Sequence, residues 1–184
     1  MNDASPTAAA TRGRSRAGAR ERDFDEFYVA ELPRLVALAR GLCGPAHAED
    51  VAQEAMLVAY RRWREVSSLE RPEAWVRRTC SNLAVSTFRR RVVELRAVSR
   101  LGGRRTPETP AAELGAEAEE FWTAVRALPA RQAQAAALRY VYDLPVAEIA
   151  HTLECTEGTV KQHLSRARHS LAAALHVEPG EEER

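Results

Sequence analysis

Residues 146–171 read VAEIAHTLECTEGTVKQHLSRARHSL, and this stretch decides the architecture. Val146, Ile149, Ala150 and Leu153 fall at the spacing of one helix face, and Val160, Leu164, Ala167 and Leu171 repeat that face in a second segment. Only Glu154, Cys155 and Thr156 separate the two. Two short amphipathic helices joined by so tight a turn form a helix-turn-helix, whose second helix enters the DNA major groove. Thr156 is suited to cap that helix, and Gly158 with Thr159 keeps its first turn slim enough for close backbone approach to phosphate. With the apolar residues turned inward, Thr159, Lys161, Gln162, Ser165, Arg166 and Arg168 face outward as donors for base edges and phosphates. An arginine-studded face on an isolated helix is usually only solvated. Here the neighbouring short helix and tight turn favour DNA binding.

Upstream of this motif, Phe121, Trp122, Val125 and Leu128 keep helical spacing; Pro129 interrupts it, and it resumes through Leu138 and Val141 to Asp143-Leu144-Pro145. Before that lies a stretch with Gly102, Gly103, Pro107, Pro110 and Gly115, which is linker composition and sets a domain boundary over 101–118. The N-terminal half has three helical units. Phe24, Phe27, Tyr28, Leu32, Leu35, Leu38 and Leu42 define the first, which Pro33 bends or divides. A second runs from about Ala46 to Arg64 behind the Gly44-Pro45 break, followed by a loop from Glu65 to Arg71. Pro72 opens a third, through Trp75, Val76, Cys80, Leu83 and Thr87 into or past Arg89-Arg90-Arg91. Strand-like alternation is absent. The expected fold is all-α: two small helical domains, 23–100 and 119–176, joined by a flexible linker. A disordered basic arm over 1–22 and an acidic tail over 177–184 flank them.

Net charge is only +1, yet the charges are sorted into blocks. Residues 76–105 hold nine arginines against Glu94, whereas residues 108–120 hold five glutamates and no base. On the third helix Val76, Cys80, Leu83 and Thr87 point one way, and Arg77, Arg78, Asn82 and Arg89 lie on or beside the other face, a basic surface with one amide reader. In the second helix Asp50, Gln53 and Glu54 share one face, offering acidic groups to a basic partner, while Val51, Ala55, Val58 and Ala59 turn inward. No apolar run approaches the roughly 20 residues that span a bilayer, and no secretory layout opens the chain. Cys43, Cys80 and Cys155 are odd in number and far apart, which suits a reducing cytoplasm. Cys43 with His47, and His151 with Cys155 and His163, lack the paired Cys-x-x-Cys spacing of a zinc site, and no Walker-type phosphate loop occurs. Neither a metal, a cofactor nor an enzymatic role is expected.

Leu128-Pro129-Ala130-Arg131-Gln132, Leu138-Arg139-Tyr140, Glu148-Ile149-Ala150, Glu157-Gly158-Thr159-Val160-Lys161 and Ser165-Arg166-Ala167-Arg168 together closely resemble region 4 of sigma factors. Asp50-Val51-Ala52-Gln53-Glu54 resembles region 2.2. Pro72-Glu73-Ala74-Trp75-Val76-Arg77-Arg78, with Asn82-Leu83-Ala84 and Arg89-Arg90-Arg91, resembles regions 2.3 and 2.4. Both sets stand in the family's order. With nothing resembling region 1.1 or region 3, the chain is similar to the extracytoplasmic-function group of the sigma-70 family. Two positions depart from the pattern: Glu154 stands where the turn usually has glycine, and Ala133 where a basic residue is common.

The resemblance implies a non-enzymatic factor that binds core RNA polymerase and directs promoter-specific initiation. Asp50, Gln53 and Glu54 would meet the coiled coil of the β′ clamp, with the β flap as a further contact. Arg77, Arg78, Asn82, Arg89 and Arg90 would read the −10 element, and Thr159, Lys161, Gln162, Ser165, Arg166 and Arg168 the −35 element. An anti-sigma factor is a further partner that the family admits. Phe88, Trp63 and Trp75 could stack on exposed bases, although Trp63 and Trp75 at helical spacing read rather as core. A linker of about 17 extended residues spans roughly 60 Å, enough for one polymerase-bound chain to touch both elements. A stand-alone repressor or activator would explain the helix-turn-helix but not the Asp50-Gln53-Glu54 match.

Overall fold

A computed structural model describes the backbone of residues 15–100 and 115–177, with side chains from residue 24 to 98 and from 115 to 177. The described residues form eight helices and no strand. These are α1 (Ser15–Cys43), α2 (Pro45–Arg61), α3 (Trp63–Val66) and α4 (Pro72–Arg100) in the N-terminal half, and α5 (Ala116–Ala127), α6 (Ala130–Tyr142), α7 (Val146–Leu153) and α8 (Glu157–Leu175) in the C-terminal half.

Three boundaries differ from expectation. Helix α1 begins at Ser15, inside the segment read as a disordered arm, and residues 1–14 lie outside the described residues. It is a single helix through Pro33. Proline removes one backbone donor, and Val29, whose carbonyl loses its partner, is exposed along with Pro33, so water can take over that bond. The second unit ends at Arg61, and the residues beyond it form the one-turn α3. Most of the expected linker and acidic tail, 101–114 and 178–184, lies outside the described residues.

The N-terminal half packs α1 against α2 and α4. Leu35, Leu38 and Leu42 of α1 meet Val51, Ala55 and Met56 of α2 and Val76 and Cys80 of α4, all at 7% exposure or less. Each buried leucine stabilises the fold by about 1.5–3 kcal/mol. Alanines 48, 52, 55 and 59 line the inner face of α2 and let α1 come close. Gly44 joins the two helices at φ 87°, a left-handed backbone that disfavours a side chain, and Pro45 sits in the first turn of α2, where no donor is needed.

In the C-terminal half, α5, α6, α7 and α8 enclose Val125, Leu138, Ile149, Leu153, Val160 and Leu171. Helix α6 is buried from Ala133 through Leu138, the polar Gln134 included. A helix can be buried all round only if it is covered on more than one side. Here α8, α7 and α5 cover one side of α6 and α1 and α4 of the other half cover another, so the two halves share one hydrophobic core. Where α5 crosses α1 the approach is close: a Cβ at Gly41 would lie 2.7 Å from the Trp122 ring.

Candidate nucleic-acid interface

Helix α8 starts as the sequence anticipates. Thr156 is its N-cap, and its Oγ1 accepts a hydrogen bond from the Thr159 backbone N–H at 3.2 Å while sharing a second with the Thr159 hydroxyl at 2.9 Å. Gly158 is exposed, and a Cβ there would meet nothing nearer than Thr156 Oγ1 at 3.8 Å. Among the described residues nothing requires glycine at 158. Lys161, Gln162 and Arg166 are exposed on one row; Thr159, Ser165 and Arg168 are half-buried beside it. The inner face carries Val160, Ala167 and Leu171. His163 lies at the edge of this row. Burial first, then the Arg131 and Arg166 guanidiniums, hold its imidazole below the usual range, so the charge of the row comes from lysine and arginine.

The turn before α8 is built on the residue that departs from the family pattern. Glu154 adopts φ 52°, ψ 53°, the left-handed conformation glycine adopts at no steric cost. Its N–H donates to His151 O at 3.3 Å and the Cys155 N–H to Ala150 O at 3.0 Å, so the turn closes tightly despite the side chain. Ala133, the second departure, is 4% exposed against the core.

On α4 the expected basic face divides. Arg89 and Arg90 are exposed, and Asn82 is exposed with its Oδ1 accepting from Gln134 Nε2 at 2.7 Å. Arg78 is half-buried and paired with Glu154. The expectation that Arg77 lies on this outer face is corrected. Arg77 is 9% exposed; its guanidinium donates to both carboxylate oxygens of Glu31, at 2.8 and 3.3 Å, and stacks 4.4 Å from the centre of the Tyr142 ring. A cation this poorly hydrated is held by its partners. Helical spacing alone put Arg77 opposite Val76 and could not foresee Tyr142 arriving from α6.

The aromatics make contacts within the chain. Trp63 packs edge-on to Phe24 at 5.1 Å and beside Phe27 at 5.0 Å, and Trp75 lies under the Arg62 guanidinium at 5.4 Å. Phe88 packs against the core, lining a groove with Leu42 and Val85.

Asp50, Gln53 and Glu54 are brought together on the exposed side of α2. They border a groove of about 790 Å³ with Phe24, Tyr28, Leu57 and Tyr60. Leu57 and Tyr60 are 46% and 54% exposed, so the acidic face carries an apolar edge for a partner to cover. Sequence reasoning missed this edge, although its signal was present: Leu57 and Tyr60 continue the Gln53 row at helical spacing. Among the described residues no helix is long and apolar enough to cross a membrane, and no group of three or more His, Cys, Asp or Glu side chains is placed to hold a metal.

Known proteins bear on these surfaces. The family described as Sigma-70 region 2 matches residues 27–92, and Sigma-70, region 4, matches residues 118–171. The ECF RNA polymerase sigma factor EcfG of Rhodopseudomonas palustris is 30% identical over 155 residues, which cover 84% of this chain and 86% of that one. The RNA polymerase sigma-E factor of Streptomyces coelicolor is 28% identical over 157 residues, covering 83% and 86%. Among solved structures, the sigma factor RpoE from Bartonella quintana, in complex with the anti-sigma factor NepR, matches with a TM-score of 0.65 at 27% identity. That match covers 85% of this chain and 99% of the other. With both region matches in chain order and relatives matching along most of its length, this chain belongs to the extracytoplasmic-function group of the sigma-70 family, regulators of transcription initiation by RNA polymerase rather than catalysts.

Proposed function

We propose that the chain docks on core RNA polymerase through α2 and reads a two-part promoter with α4 and α8. Asp50, Gln53 and Glu54 meet a basic coiled-coil surface of the β′ clamp, with Leu57 and Tyr60 covered on docking. Arg78, Asn82, Arg89 and Arg90 serve the −10 element. Arg77 positions the helix by its bond to Glu31 rather than touching DNA. Thr159, Lys161, Gln162, Ser165, Arg166 and Arg168 serve the −35 element, with region 4 also meeting the β flap. Arginine and glutamine on α8 supply the bidentate donors that discriminate guanine and adenine. Capture of unpaired bases, aided by phosphate neutralisation, draws the duplex open without nucleotide hydrolysis. Such work belongs in the cytoplasm, and an anti-sigma factor, which RpoE of Bartonella quintana holds in its complex, is the expected regulator.

The observation that carries this reading is the exposed row of Lys161, Gln162 and Arg166 on a helix whose first turn is capped by Thr156 and left open at Gly158. The test is in vitro transcription with sigma-free bacterial core polymerase on a genomic fragment library, comparing wild type with Asp50→Arg and Arg166→Ala. Initiation at discrete sites by wild type, lost in both variants, is the expected result. A wild-type chain that never directs initiation yet binds a palindromic site without polymerase would make it a stand-alone repressor or activator.

A further inference from the structure

Helix α4 runs on past the core it helps to build. Val85, Phe88 and Val92 carry its apolar row outward, each only half-buried, and Val93 beside them is 64% exposed. Leu42 of α1 lines the same groove, and Leu128 and Ala130 bring the turn between α5 and α6 to it. The groove holds about 550 Å³, within the roughly 300–1,000 Å³ range of small-molecule sites, which are mostly apolar with a few placed polar groups. Among the described residues its polar lining is three arginines and no acid. The three are not equivalent. Arg126 is committed, its guanidinium donating to Glu119, to the Thr123 hydroxyl and, at 3.3 Å, to the Arg40 carbonyl. Arg89 and Arg96 are exposed, and among the described residues no carboxylate is paired with either. Seven positions apart, they sit two turns along one face of α4, about 10 Å in axial rise. Unpaired cations beside a groove with low-dielectric walls focus a positive potential into it. A half-covered apolar row and an uncompensated charge thus meet in one place, and a single molecule that carries both counterparts satisfies them together.

We propose that this groove binds a small amphiphilic anion, an unbranched apolar chain ending in a carboxylate or a phosphate. The chain lies along Phe88, Val92 and Leu128, and the head meets Arg96, the last residue of α4 to line the groove, through a charge-assisted guanidinium contact. Charge decides against a second copy as the occupant, because Arg89, Arg90 and Arg96 would face their own kind. Both halves of the chain supply walls, α1 and α4 on one side and the α5–α6 turn on the other, so the ligand touches both. Apart from Arg89 the site shares no residue with the surfaces proposed for polymerase and promoter, and it stands or falls separately from them.

Isothermal titration of the full chain with dodecanoate and with dodecyl phosphate, each below its micelle concentration, tests the site. One molecule bound per chain is the expected result, and the tighter of the two names the head. Decanoate is expected to bind about fifteenfold more weakly than dodecanoate, since each buried methylene contributes about fourfold. Dodecanol, which keeps the chain and lacks the charge, and inorganic phosphate, which has the charge alone, are each expected to bind more weakly by about tenfold or more. Arg96→Glu and Val93→Asp change exposed positions, so both variants should keep the wild-type melting temperature while losing about tenfold or more in affinity for dodecanoate. Many molecules bound per chain, or one-to-one binding that neither variant weakens, overturns the proposal, because detergent-like adsorption or a contact elsewhere gives those results. Absence of binding overturns it too. Binding that emerges only when Glu178, Glu181, Glu182 and Glu183 are all changed to glutamine assigns the groove to the chain's own acidic tail. A dimer in light scattering that Val93→Asp dissolves assigns it to a second copy.

Discussion

A methyl group added at Gly158 separates what the fold needs from what DNA needs. Its Cβ would point into open space, with Thr156 Oγ1 at 3.8 Å as nearest neighbour, an ordinary van der Waals distance. The residue lies in the first turn of α8 and has no positive φ, so alanine fits the backbone as it stands. Replacing a helical glycine by alanine is worth 0.8–1.0 kcal/mol in a helix interior, and about 0.5 kcal/mol is reasonable in a first turn. Gly158→Ala is therefore expected to leave the urea midpoint unchanged or slightly raised. If a −35 phosphate approaches the N–H groups of this turn, the methyl holds it off and weakens a charge-assisted hydrogen bond worth about 1.5–3 kcal/mol. Affinity of the holoenzyme for a −35 duplex then falls about tenfold, equivalent to 1.4 kcal/mol. Urea denaturation and anisotropy on the same preparation check both halves. Wild-type DNA affinity in a stable Gly158→Ala variant would refute close phosphate approach at this turn. A loss of stability would refute the steric reasoning.

Three further outcomes are expected. Asp50→Arg should reduce core polymerase binding in a pull-down by more than about tenfold while leaving the melting temperature within about 1 °C, because Asp50 is exposed and charge reversal acts on the partner. Glu31→Gln leaves Arg77 nearly desolvated without its carboxylate and should cost about 3 kcal/mol in urea denaturation; a cost under about 1 kcal/mol would mean that Tyr142 alone holds the guanidinium. Burial raises the Cys43 thiol from 9.0 to about 11 and the Cys80 thiol from 9.0 to about 12, so iodoacetamide at pH 8 should label only half-buried Cys155 in the native chain, as read by mass spectrometry. The sign of the linkage follows: the unfolded chain loses these protons first, so the contribution is intact below pH 9.0 and stability declines as pH rises through about 11. The Cys43→Ala variant should show a smaller decline.

The apolar rows of α7 and α8, the cap at Thr156 and the proline and glycine punctuation that separates the two halves are local facts, and the sequence by itself determined them. A helix needs only its own spacing to declare which face turns inward. The acidic row of α2 was legible for the same reason, since Asp50, Gln53 and Glu54 share a face whatever packs behind it. What spacing cannot report is which element covers a face, or how many do. Arg77 reads as a surface cation and Gln134 as an ordinary polar helix residue until the other half arrives, Tyr142 over the one and Asn82 beside the other. Their partners lie 46 to 65 residues away in the chain, Glu31 behind Arg77 and Tyr142 ahead of it. The cost of burying a charge or an amide is set by those distant groups. Only the tertiary structure decided that α6 is covered from Ala133 through Leu138, that Gly41 is small because Trp122 crosses it, and that Glu154 is turned toward Arg78.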